Sequence, residues 1–142
     1  MNSGATAFTL LELVIAIAIA ATLAVFAVPS WHAQVARSHR VDAASSLYRA
    51  AQFPETATGK DAGTLPAGLD QAPPFGSPVY RLRVLGGDDT NGGYSVEARP
   101  VESGPMRDDA CGTFVIEATG LRRNQNAGDT AVANTNECWN TR

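Results

Sequence analysis

The sequence predicts an α+β chain: one long N-terminal helix followed by a small antiparallel sheet. Three observations carry this. No glycine occurs between Gly4 and Gly59, and the intervening stretch is rich in alanine and leucine, so nothing interrupts a helix from about residue 8 to residue 52. Beyond Pro78, three short stretches alternate apolar and polar residues with the period of a half-buried strand. The only two cysteines, Cys111 and Cys138, both lie in the C-terminal third.

The helix has two characters. Residues 8–28 are apolar apart from Thr9, Thr22 and the single charge Glu12. At about 1.5 Å per residue this run spans the roughly 30 Å core of a bilayer. A carboxylate at that depth is costly, which marks Glu12 as a functional residue in need of a partner. Ala16, Ala20 and Ala24 form a small-residue row suited to close helix packing, although it also fits a generally alanine-rich composition. Pro29 deprives the carbonyl of Val25 of its helical hydrogen bond, so a kink or weak point is expected there. Further along, Trp31, Val35, Ala44, Leu47, Tyr48 and Ala51 predict an apolar stripe, with Arg37, Arg40, Asp42 and Arg49 off it.

From Phe53 to Pro78 the chain is punctuated by proline and glycine and reads as one long connection. Residues 79–85 then alternate, with Tyr80, Leu82 and Val84 on one face and Arg81 and Arg83 on the other. A glycine- and aspartate-rich turn leads to residues 94–99, and residues 113–118 supply a third strand ended by Thr119-Gly120. Three strands with short links predict a meander covered on one face by the helix. Such a core is small for independent stability.

The block Ala7-Phe8-Thr9-Leu10-Leu11-Glu12 at the head of this helix resembles the processing signal of type IV pilins. The later run Cys111-Gly112-Thr113-Phe114, Thr119-Gly120 and Cys138-Trp139 is similar to a type IVa minor pilin. The resemblance implies the type IV pilin fold: a long N-terminal helix packed on a small antiparallel sheet, with a disulfide-bounded C-terminal region. It also implies a leader at residues 1–7, cut between Ala7 and Phe8 by a prepilin peptidase, with methylation of the new terminus. Residues 8–28 form the transmembrane and assembly half of the helix, and residues 29–142 a periplasmic head. Glu12 then pairs with the N-terminal amine of a neighbouring subunit, and Pro29 lets the helix yield inside a filament. Two departures stand out: Ala7 replaces the glycine usual before the cut, and residues 1–7 carry no Lys or Arg.

In an exported head the two cysteines read as a disulfide, because the periplasm is oxidising. Counting Lys and Arg around the span would instead leave the C-terminal part in the cytoplasm, since Arg37 and Arg40 follow it and none precedes it. The cysteines and the pilin block favour an inner-membrane, single-pass protein with a periplasmic head that later joins a surface pilus. The expected partners are other pilin subunits, the prepilin peptidase, the inner membrane and the assembly machinery. No cofactor is expected.

The function implied is that of a non-enzymatic minor pilin supporting pilus assembly, twitching motility and adhesion. A type II secretion pseudopilin shares the N-terminal block, but its major form typically lacks a Cys-bounded tail. A third reading, from the binding class, is a DNA-receptor pilin for natural transformation, with Arg81, Arg83, Arg122 and Arg123 on phosphates and Tyr80 or Trp139 stacking on bases. The net charge of −3 opposes a broad basic groove. Metal sites find little support. His32 and His39 lie far from the cysteines, and Asp88, Asp89 and Asn91 lack calcium-loop spacing. Catalytic motifs are not found, which disfavours an anchored periplasmic enzyme.

Overall fold

A computed structural model describes residues 8–56, 65–87, 90, 92–126, 128, 131 and 134–140. The expected leader with Ala7, and the turn residues Asp88, Asp89 and Asn91, lie outside them. The chain divides into two compact units, Met1–Val35 and Ala36–Arg142.

The first unit is the N-terminal part of helix α1 (Leu10–Thr56). Thr9 starts it: its Oγ1 accepts the Glu12 backbone N–H at 3.2 Å, and its carbonyl accepts the Leu13 N–H at 3.2 Å. This is the N-cap half of a Thr-x-x-Glu capping arrangement, and the acid in the first turn complements the helix dipole. From Leu10 to Val28 the apolar side chains are exposed. The Thr22 hydroxyl returns its proton to the Ala18 carbonyl at 2.8 Å, so the only other polar side chain of the run is satisfied internally. By length and composition this helix is able to cross a membrane. Helical backbone continues through Pro29 without a break.

The second unit is the head. Its sheet has five antiparallel strands in the order of the chain: β1 (Gln71–Ala72), β2 (Tyr80–Gly86), β3 (Tyr94–Pro100), β4 (Thr113–Glu117) and β5 (Arg122–Gln125). A short helix α2 (Thr135–Trp139) follows. The meander is therefore wider than the three strands expected. β1 is too short to leave a pattern, and β5 reads Arg-Arg-Asn-Gln, with no apolar residue to mark it.

One face of the sheet builds the core. Tyr80 and Leu82, Val96 and Ala98, and Phe114 and Ile116 pack with Ala43, Leu47 and Ala50 of α1. Tyr80, Phe114 and Trp139 meet edge to face, with centroids 6.0 and 5.3 Å apart. Burial pushes the Tyr80 phenol pKa up. On β5, Asn124 is fully buried and its Nδ2 donates to the Cys111 carbonyl at 2.9 Å. The sulfurs of Cys111 and Cys138 are bonded, which pins α2 and Trp139 to the sheet.

The buried stripe of α1 overlaps the expected one at Leu47, with Ala44 and Ala51 partly buried against the core, but is broader than expected and excludes Trp31 and Tyr48. Ala43, Ser46, Leu47 and Ala50 are buried, whereas Trp31 and Tyr48 are exposed. The difference follows from Arg40, expected on the solvent side. Its Nε and NH2 donate to the two Asp109 oxygens at 3.1 and 2.5 Å, and Asp109 Oδ2 also accepts the Cys111 N–H at 3.2 Å. That fork raises the Arg40 pKa and lets a charged residue lie on the packed side of the helix. Small Ala and Ser side chains then form the closest approach. At the far end of the sheet the Tyr94 hydroxyl donates to the Ala51 carbonyl at 2.9 Å.

Candidate nucleic-acid interface

The opposite face of the sheet carries charge. Strand alternation places Arg81 and Arg83 of β2, Glu97 and Arg99 of β3, Glu117 of β4 and Arg123 of β5 on it. Register fixes their spacing. Arg81 lies opposite Arg99, and Arg83, Glu97, Val115 and Arg123 form one row across four strands. At about 4.8 Å per strand, Arg83 and Arg123 stand roughly 14 Å apart along the row.

The two carboxylates lie beneath the guanidinium groups. The Glu97 and Glu117 side chains are only 3% and 8% exposed, while the four arginine side chains are between 44% and 60% exposed. Arg83 donates to Glu97, Arg99 Nε lies 3.7 Å from the same oxygen, and Arg123 NH2 is 2.7 Å from Glu117. Arg81 faces Asp70 at the sheet edge at 3.7 Å. Buried carboxylates need these partners, since an uncompensated buried charge is strongly destabilising. The arginines need them less. Each guanidinium has five N–H donors in a planar fork, and these heads reach half into solvent. Four cations against Glu97, Glu117 and the edge residue Asp70 leave this face with a small positive excess on a head that is acidic overall. Such an array is suited to holding phosphates.

Two shallow clefts flank this face and share Arg99 and Glu102. One adds Arg81 and Ser103, and the other Arg107 and Asn126. Among the described residues no group of three or more His, Cys, Asp or Glu is placed to hold a metal.

Of the four arginines proposed from sequence, three share this face. Arg122 does not. The turn at Gly120 and Leu121 sets the β5 register so that Arg122 points to the helix side, where its guanidinium lies 5.7 Å from the Trp139 ring centroid and donates to the Tyr48 hydroxyl at 3.3 Å. Tyr80 and Trp139 are buried, so neither is available to stack on a base. Arg99, the residue missed, was visible in the alternation of residues 94–99, two positions beyond Glu97.

The chain's residues 29–115 match the family model described as type IV minor pilin ComP, DNA uptake sequence receptor. The chain belongs to this minor pilin family. It is accordingly a minor pilin, with the long N-terminal helix, antiparallel sheet and Cys111–Cys138 disulfide observed above. The family match runs from Pro29 into β4 and so contains Arg81, Arg83, Glu97 and Arg99. Glu117, β5 and Cys138 fall beyond it. No curated protein matches the chain. Membership implies association with other pilins and the pilus machinery, and the apolar helix fits membrane anchoring before assembly.

Proposed function

We propose that this minor pilin is a non-enzymatic DNA receptor of a type IV pilus, holding duplex DNA on the outer face of its sheet. The observation that carries the reading is the set of half-exposed arginines, Arg81, Arg83, Arg99 and Arg123, held in register over buried Glu97 and Glu117. The family's own description as a receptor for a DNA uptake sequence supports DNA as the ligand of such a face. We further propose that Phe8 is the mature N-terminus after cleavage at Ala7, Glu12 the assembly partner of a neighbour's amine, and Pro29 a point where the helix yields. In this reading the head is periplasmic before the subunit enters the filament.

Removing Arg81 and Arg99 together tests the DNA assignment without orphaning Glu97, which keeps Arg83. Full-length Arg81→Gln/Arg99→Gln protein in detergent is expected to bind a labelled duplex about tenfold more weakly at 0.1 M salt. The slope of log affinity against log salt should fall by up to about 0.9 per lost phosphate contact. Arg122→Gln, changed on the other face, should bind like wild type. Fluorescence anisotropy titrations at several salt concentrations read both quantities, and unchanged affinity in the double variant contradicts the assignment.

A further inference from the structure

We infer that Phe75, on the loop between β1 and β2, is the residue through which this pilin contacts bases and so discriminates one DNA sequence from another. The inference rests on the DNA reading above. Phosphate contacts fix a protein on a duplex but carry no sequence information, which must come from base contacts or from the cost of deforming the duplex. The arginine face is engaged with carboxylates and is suited to phosphates.

Phe75 is 84% exposed, against 44% for Tyr48, the next exposed aromatic of the unit Ala36–Arg142 among the described residues. A lone exposed apolar residue is ordinary on a protein surface. This one stands on a loop built to hold it. Gln71 Nε2 donates to the carbonyls of Pro73 and Gly76 at 3.2 and 3.1 Å, closing the turn on either side of Phe75. Gly76 takes the left-handed conformation, with φ of 84° and nothing within 4 Å of where a Cβ would stand. Pro73, Pro74 and Pro78 restrict the backbone further. Because the backbone that carries it is already fixed, only the torsions of the ring itself are ordered when it is covered.

The same Gln71 side chain joins this loop to the charged face. Its Oε1 accepts from Arg81 NH1 at 3.4 Å, and Gln71 pairs with Arg81 in the β1–β2 register. A duplex whose backbone rests on Arg81 would then lie beside the loop that carries Phe75. An aromatic ring without hydrogen-bonding groups reads DNA in two ways. It packs on a thymine methyl, or it wedges into a pyrimidine–purine step that unstacks at low cost. Both distinguish sequences, and both lie beyond what the arginines alone do.

The test uses full-length protein in detergent and a randomised 20-base-pair duplex library as the probe. Wild type should enrich a motif containing thymine or a pyrimidine–purine step. Phe75→Ala should then bind the enriched duplex at least about tenfold more weakly, with unchanged affinity for a scrambled duplex and an unchanged salt slope. Phe75→Trp should keep the preference, whereas Arg81→Gln should weaken both duplexes alike. A Phe75→Ala variant that retains the wild-type preference overturns the inference. So does one that binds DNA normally but is lost from sheared filaments, which would make Phe75 a contact between subunits. Wild-type binding without any sequence preference overturns it while leaving the DNA reading intact. No duplex binding by wild type defeats the DNA reading itself.

Discussion

Replacing Glu12 by alanine is expected to leave the protein inserted in the membrane and its head folded, yet to cut its recovery in filaments at least about tenfold. Insertion survives because the change removes a charge from an apolar run. The helix start survives because Thr9 caps the backbone N–H of residue 12, which alanine also supplies. Only the helix-dipole term of the acid is lost, about 0.3–1 kcal/mol. Assembly does not survive. No Lys or Arg precedes Arg37, so within the N-terminal unit the sequence offers Glu12 no cationic side chain. In the proposed assembly, the α-amine that cleavage before Phe8 would expose lies about one helical turn away, and a neighbour's amine would reach Glu12 when two helices pack with an axial stagger. In lipid such a pairing relieves two costly charges at once, and its loss strands the amine. Quantitative immunoblots of membrane and sheared-filament fractions, from cells lacking the native copy, measure the ratio. Equal recovery of variant and wild type removes Glu12 from the assembly step.

Opening the Cys111–Cys138 bridge is expected to be the most damaging single change to the head. The bridge closes a loop with a sequence separation of 27, for which the loop-closure relation gives about 3.5 kcal/mol. A small domain holds roughly 5–15 kcal/mol in all, so this is a large fraction. Local packing adds to it. Cys138 and Trp139 are buried, and Trp139 lies against Phe114 and Tyr48. With the bridge gone, the core keeps that ring only through weak non-covalent contacts at the end of α2. A Cys111→Ser/Cys138→Ser variant should melt about 15–25 °C lower than wild type, read by circular dichroism with and without reductant. A difference of only a few degrees contradicts the staple's role.

How far the sequence disclosed this molecule depended on whether local pattern or distant pairing decided each element. α1 and the strands β2, β3 and β4 were legible because each repeats apolar residues at its own period. The inward face of β2 followed directly, with Tyr80 and Leu82 buried and Arg81 and Arg83 outside. β5 was not legible, because its position is set by pairing with β4 and its residues carry no apolar signal. On α1, Leu47 was placed correctly and Ala44 and Ala51 partly so, but the inward place of Arg40 was not legible because its partner, Asp109, is 69 positions away. In the candidate site the same division holds. Alternation placed Arg81 and Arg83 correctly, but only the β5 register separates Arg123 from Arg122. Glu97 and Glu117 gave no hint that they would lie buried under the arginines, since sequence alone cannot tell a covered sheet face from an open one. The N-cap at Thr9 is written locally in Thr9-Leu10-Leu11-Glu12, as a Thr-x-x-Glu spacing at the head of an apolar run.

A processed minor pilin leaves the membrane to enter a filament, and its terminus records that history. The most direct test is mass spectrometry of pili sheared from the native host. The chain is expected to be present there and to begin at Phe8 with an N-methyl group, residues 1–7 having been removed. Its absence from purified filaments, or its presence with an intact Met1 or Asn2 terminus, contradicts that history.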